Sequence, residues 1–196
     1  MKKTLFSLVI LLFSIESFSQ EYSFSAGPSW GVPFYYQMVT GGPSKSPKTG
    51  LNVNFEYIFH SDRKLSWGAG IGFQNNKVEL KPEFTGSNEG MEATMSHSNV
   101  LYLTSKMVFS KRNSSNFSLE PLIGFQINKT DQNSFSNQSG VGLGFSFVKK
   151  INLNQTSFLK IEPKLMVFNI IPFESRDMAE RMTSLGLNIG YGIKKL

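Results

Sequence analysis

Gly140-Val141-Gly142-Leu143-Gly144-Phe145-Ser146-Phe147-Val148 decides the fold. Val141, Leu143, Phe145 and Phe147 recur with a period of two, and Gly142, Gly144 and Ser146 fill the positions between. Period two is the strand repeat, because successive side chains leave a pleated strand on opposite faces. One face of this segment is therefore large and apolar, and the other is nearly bare. A strand of a soluble sheet would put Lys and Glu on its second face.

Seven more segments repeat the pattern, at 22–34, 51–59, 65–75, 100–109, 117–128, 157–169 and 183–194. In the last, Leu185, Leu187, Ile189, Tyr191 and Ile193 alternate with Gly186, Asn188, Gly190 and Gly192. Alternation alone does not say which face is wet. A soluble barrel turns its apolar face inward, and a membrane barrel turns it to lipid. The apolar faces carry no charged residue, and the opposite faces are rich in Gly, Ser and Asn, as the tight interior of eight strands requires. Segment lengths also sit near the ~9–11 residues that cross a bilayer at a tilt.

The connections vary in a regular way. Those around Ser61-Asp62, Asn113-Ser114 and Asn152 to Asn154 are short and polar, and the four that alternate with them are longer. Short periplasmic turns alternating with long extracellular loops are the outer-membrane pattern, with both termini periplasmic. The reading is all-β: an eight-stranded antiparallel up-and-down transmembrane β-barrel. Pro121 and Pro163, each following a Glu near a strand start, predict a bulge or local kink, because proline removes a ladder donor.

The N-terminus reads as a secretory signal. Lys2 and Lys3 precede an apolar run from Leu5 to Phe13, and Ser17-Phe18-Ser19 supplies small residues before Gln20. The run is too short to span as a helix, which needs ~20 residues. Residues 1–19 are thus expected to be a cleaved signal, and 20–196 the barrel. The chain has no cysteine, so neither a lipoprotein anchor nor a disulfide is available. Its net charge of +6 could suit nucleic acid, but the basic residues collect in pairs at turns (Arg63-Lys64, Lys111-Arg112, Lys149-Lys150, Lys194-Lys195). Export removes that partner too, leaving outer-membrane lipid as the expected surroundings.

Six ionisable residues share the bare faces: Glu56, Lys106, Glu120, Lys160, Glu162 and Lys164. Ionisable residues in a membrane are functional candidates, but in so narrow an interior opposite charges are expected simply to pair. His97-Ser98-Asn99 resembles the His-x-Ser-Asn element of outer-membrane lipid A deacylases. Adjacent residues of a strand face opposite ways, however, and no matching acid occurs nearby, so no catalytic residue is assigned. His60 falls in a short turn. Two distant histidines and no EF-hand spacing argue against a metal site, and no cofactor motif is present.

After Asn75-Asn76 the alternation changes parity, with Val78, Leu80 and Phe84 apolar against Lys77, Glu79 and Glu83. Met91 and Met95 continue the pattern on return. This predicts a bulge followed by a hairpin standing above the membrane, either a partner-binding element or a loop packed on itself.

The chain resembles the small outer-membrane β-barrel family that includes the PorT-type proteins. The resemblance covers most of the mature chain and rests on five features. These are a signal ending in Ser19-Gln20, an opening strand with Gly and Trp (Gly27 to Gly31), Tyr102-Leu103, the stretch from Glu120-Pro121 to Gly124-Phe125, and the Gly-rich last strand. It implies an eight-stranded barrel, with some members assisting secretion or envelope assembly. The expected function is non-enzymatic, structural or partner-binding through the extracellular loops, with an envelope or secretion protein as the possible partner. The alternative is a lipid A-modifying enzyme of the deacylase type.

Overall fold

Strands that face lipid cannot leave an edge of unpaired N–H and C=O groups, because each would cost several kcal/mol there. The computed structural model describes residues 19–34, 44–59, 61, 63–81, 93–111, 115–130, 135–173 and 181–195, and in it the ladder closes. The strands are β1 (Gln20–Phe34), β2 (Ser44–Phe59), β3 (Leu65–Lys81), β4 (Thr94–Lys111), β5 (Ser115–Thr130), β6 (Phe135–Asn152), β7 (Ser157–Pro172) and β8 (Arg181–Lys195). Each pairs antiparallel with the next, and β1 pairs with β8 from Gln20↔Lys195 to Phe34↔Arg181. The result is the eight-stranded up-and-down barrel that the alternation predicts.

The apolar faces point outward. Ile189 is 63 % exposed, Leu103 58 % and Phe24 55 %, whereas Glu56, Lys106 and Glu162 inside are at 2 % or less. A water-soluble protein rarely exposes an apolar patch beyond a few hundred Å². Here the patch encircles the molecule, so its solvent is lipid. Near the short-turn end the outer surface carries an aromatic girdle. Tyr22 and Tyr57 lie 4.8 Å apart by ring centroid, and Phe117 lies 6.4 Å from both Phe109 and Phe145. Rings of this kind mark the lipid–water boundary of membrane barrels.

The strands run 15 to 18 residues, longer than crossing requires. The surplus lies at the long-loop end, where β2, β3 and β4 stay paired out to Ser44↔Lys81 and Leu80↔Thr94. Extension of β5 and β6 shortens their connection to residues 131–134, so the short/long alternation of loops is less strict than the sequence suggests.

Three expectations about strand irregularities need correction. β3 has no bulge after Asn76, since its register with β4 runs unbroken from Leu65↔Phe109 to Leu80↔Thr94. The bulge is on the neighbouring strand instead: two β2 residues, Thr49 and Gly50, oppose the single Asn76 of β3. Gly50 suits that position, because a Cβ there would collide with the Asn75 carbonyl oxygen. A second irregularity, in β7, sets residues 168–170 against Gly142 alone, and Asn169 turns into the left-handed region with φ 60°. Asn is among the few non-glycine residues that adopt this conformation readily. Pro121 and Pro163 cause no bulge: the β5–β6 and β7–β8 registers pass straight through Pro121↔Leu143 and Pro163↔Leu187. Losing one donor interrupts a rung without shifting the ladder.

Candidate functional site

The strand period assembles the interior. Lys160, Glu162 and Lys164 occupy alternate positions of β7, so all three project inward in the charge order plus, minus, plus. Glu56 from β2, Lys106 from β4 and Glu120 from β5 meet them. The Lys106 ammonium lies 2.8 Å from Glu56 Oε1, 2.9 Å from Glu120 Oε1 and 2.9 Å from Glu162 Oε1. Lys160 pairs with Glu56 at 2.7 Å and with Glu162 at 3.1 Å, and Lys164 pairs with Glu120 at 2.6 Å. Three carboxylates and three ammonium groups leave no formal net charge. Ser118 and Ser146 donate to Glu120 Oε1 at 2.9 and 2.7 Å.

Small residues on the intervening strands make room for this cluster. A Cβ on Gly144 would sit 3.3 Å from Glu120 Cβ, one on Gly70 3.4 Å from Glu56 Cγ, and one on Gly190 3.0 Å from Lys160 Cε. The Gly-rich faces of β3, β6 and β8 are thus the spatial complement of the long charged side chains of β2, β4, β5 and β7. One sequence pattern accounts for both.

The ionic layer is capped on both sides. Toward the short turns lie Ile58, Val108, Val148 and Phe158, all buried. Toward the long loops lie Val100, Tyr102, Leu122, Met166, Phe168 and Met182, which form one apolar cluster. Tyr102 joins the layers: its hydroxyl donates to Asn54 Oδ1, and the Lys164 ammonium stands 5.3 Å from its ring centroid. Beyond this cluster Gln74, Asn76, Gln126 and Gln138 fill the mouth. Between the ionic layer and the short-turn end a cavity of about 10 Å³ remains, room for roughly one water. A wider polar recess of about 300 Å³ opens below it, lined by Glu21, Lys150, Asn154 and Lys194 among others.

The sequence reading missed the apolar plug. Its signal was present, because Met166 and Phe168 share parity with Lys164, and Tyr102 with Lys106. The three buried carboxylates also place oxygens within 4.8 Å of one another, the arrangement a metal would use. The Lys106 ammonium, in contact with all three, supplies a cation at that point.

Other candidates are not brought together. Ser98 is buried inside, whereas His97 lies on the outward face of β4 between Lys77 of β3 and Lys129 of β5. Imidazole and hydroxyl therefore sit on opposite sides of the wall, and the cross-strand neighbours of His97 are cations. His60 lies outside the described residues. Of the apolar hairpin residues, Val78 is 2 % exposed on the lumen side and Leu80 is half-buried on the same face. Met95 pairs with Glu79 and so faces outward, which means these three do not form one stripe. Phe84 and Met91 lie outside the described residues.

A closed ring with a lipid-facing exterior and a filled interior defines a small transmembrane β-barrel of the outer-membrane architecture. Solved structures of that class have the same fold. The Neisserial surface protein A superposes with a TM-score of 0.52 at 11 % identity, covering 90 % of this chain and 97 % of that one. Ail of Yersinia pestis, solved with the heparin analogue sucrose octasulfate, gives 0.51 at 13 % identity, covering 89 % and 98 %. No protein-family model and no curated protein matches the chain in sequence.

Proposed function

We propose that the chain is a non-enzymatic outer-membrane protein of a Gram-negative envelope, related to the PorT-type barrels, that acts structurally or by binding a partner through its extracellular loops. The observation that carries this reading is the closed interior. An ionic layer held between two apolar layers leaves space for about one water, which argues against a diffusive pore. Interactions are then left to the outer wall and the loop ends. The paired extensions of β2, β3 and β4 carry the wall past the end of the lipid-facing belt on that side. The separation of His97 from Ser98 and its cationic neighbours weigh against a deacylase. In this reading the signal is removed after Ser19, and both termini and the short turns are periplasmic.

The test is deletion of residues 81–92. The barrel should still fold and remain heat-modifiable on gels, and any partner that co-purifies from gently solubilised membranes should be lost. Survival of every partner would remove the loop from the account. Release of acyl chains from lipid A by the purified barrel would overturn the non-enzymatic assignment.

A further inference from the structure

The two ends of the barrel differ in charge. The Lys/Arg pairs at 63–64, 111–112, 149–150 and 194–195 all belong to the short-turn end, where the sequence sets only Glu21 and Asp62 against them. Two carboxylates cannot neutralise eight cations, however the pairs are drawn. The ionic layer inside is balanced three against three and has no carboxylate to spare. At the long-loop end, across 44–48, 77–92, 129–131 and 174–181, seven Lys and Arg are matched by eight Asp and Glu. The excess is therefore confined to one end.

Part of it is turned inward. Glu21 of β1, Lys150 of β6 and Lys194 of β8 occupy lumen-side positions, one rung beyond the apolar cap of Ile58, Val108, Val148 and Phe158. They line the polar recess of about 300 Å³. Phe158 lines both this recess and the small cavity above it, so the recess is a dead end rather than a passage. Glu21 stands opposite Lys194 in the β1–β8 ladder, but its carboxylate is bonded to Lys150. Among the described residues Lys194 has no ion pair with a carboxylate, and it acts on Lys150 as a like charge. One acid thus serves two ammonium groups.

Neutral donors surround them. Ser61, Ser110, Thr156 and Ser157 bring hydroxyls to the recess from two turns and two strand ends. The Ser61 N–H donates to the Ser19 carbonyl at 3.1 Å, and the two hydroxyls are 2.8 Å apart. Removal of the signal after Ser19, as read above, takes both partners away and releases two donors at the recess. Donors converging from several sides suit a tetrahedral oxyanion better than a planar carboxylate, and lysine binds phosphate as a point charge. A phosphate monoester also brings about −1.5 to −2 charges at neutral pH, which answers a local excess of cations. A recess of about 300 Å³ is at the lower end of the range for small-molecule sites. Because the lining residues face the lumen, a phospholipid headgroup would have to leave its leaflet and enter the ring of strands to reach them.

We propose that this recess binds the phosphate group of a small soluble molecule, held by the Lys150 and Lys194 ammonium groups and by the Ser61 N–H and hydroxyl. The site lies at the opposite end from the long loops and stands or falls independently of any partner they bind.

The mature protein, residues 20–196, is refolded in phosphate-free neutral detergent, and inorganic phosphate and glycerol 3-phosphate are titrated in by calorimetry. Both should bind at a single site. Lys194→Gln should weaken binding about tenfold or more, the ordinary worth of a charge-assisted hydrogen bond. Lys195→Gln removes the same charge one residue away, on the outward face, and should bind like the wild type. Equal losses in these two variants would reveal a diffuse field and overturn the site, as would a wild type that binds neither probe. Acetate binding as tightly as phosphate would overturn the ligand class. In phosphatidylcholine vesicles, added phosphatidylglycerol should leave phosphate binding unchanged. Competition by that lipid would make the recess a headgroup site and overturn the soluble assignment. Heat-modifiability on gels checks that each variant folds, and the acetate and lipid arms need only the wild type.

Discussion

Each strand of this barrel has two faces built by opposite rules, and β7 shows the contrast within seven residues, from Leu159 to Leu165. Its inward positions Lys160, Glu162 and Lys164 are fully charged yet at 2 % exposure or less, and its outward positions Leu159, Ile161 and Leu165 are apolar and 37–42 % exposed. In water this would be an inverted protein. In lipid both faces are satisfied, because the outer solvent is hydrocarbon and each inner charge meets an opposite one. The lesson concerns where specificity lies. The outer face needs only apolarity, and many side chains serve. The inner face needs matched partners and matched volume, so single changes there should cost more.

The largest effect should follow from breaking the inner match. Lys106→Met leaves three buried carboxylates against two ammonium groups and should destabilise the barrel by about 3–5 kcal/mol, the usual cost of stranding one side of a buried pair. Urea unfolding in vesicles measures it. Adding Glu56→Gln to Lys106→Met should recover part of the loss, whereas two independent sites would simply add. On the outer face, Leu187→Arg should cost about 2–4 kcal/mol if Leu187 lies near the bilayer midplane. The same substitution at Tyr191, nearer the interface, should cost less, and equal costs would contradict the depth assigned to these rungs.

Volume comes next. A methyl group on Gly142 would lie 2.5 Å from the Val167 carbonyl oxygen and 2.7 Å from Leu122 Cδ1. Gly142→Ala should therefore lose about 1–3 kcal/mol by overpacking, while Leu143→Ala, on the lipid side of the same strand, leaves the lumen untouched. The smallest effect should be at the exposed rim. The Lys48 hydrogen bond holds the Glu79 carboxyl below its ordinary value of 4.5. Any stability it lends is present above the ordinary carboxylate range and lost as the pH falls below it. Because this is a surface pair, with Lys48 exposed and Glu79 partly so, Glu79→Gln should not move the unfolding midpoint measurably at neutral pH.

Which parts of this were legible follows from the same contrast. The outer face announces itself, because apolarity at period two over eight segments has no competing reading once the second face is bare. The positions of the six inner charges follow from that parity. The strand ends were not legible, since past the bilayer neither face has to be apolar and residues such as Ser44, Lys45 and Ser46 lie in β2 without alternating. The parity change at Val78 reads in the sequence as a backbone slip. It is instead an apolar residue turned inward at the mouth of an unbroken strand, and the actual slip, at Thr49-Gly50, left no mark in the hydrophobic pattern. The apolar plug around Phe168 is less legible for a related reason: small polar residues are one way to fill eight strands, and a barrel filled to exclude water can also alternate ionic and apolar layers.

The central claim is that the apolar face meets lipid, and tryptophan quenching tests it most directly. Trp67 lies on the outer face near the short-turn end, 45 % exposed to its surroundings. In a Trp30→Phe variant refolded into vesicles whose acyl chains are brominated near the headgroup, Trp67 fluorescence should be strongly quenched relative to vesicles of the same lipid without bromine. Unquenched fluorescence, from a protein that keeps its sheet signal and stays in the supernatant without detergent, would contradict the account.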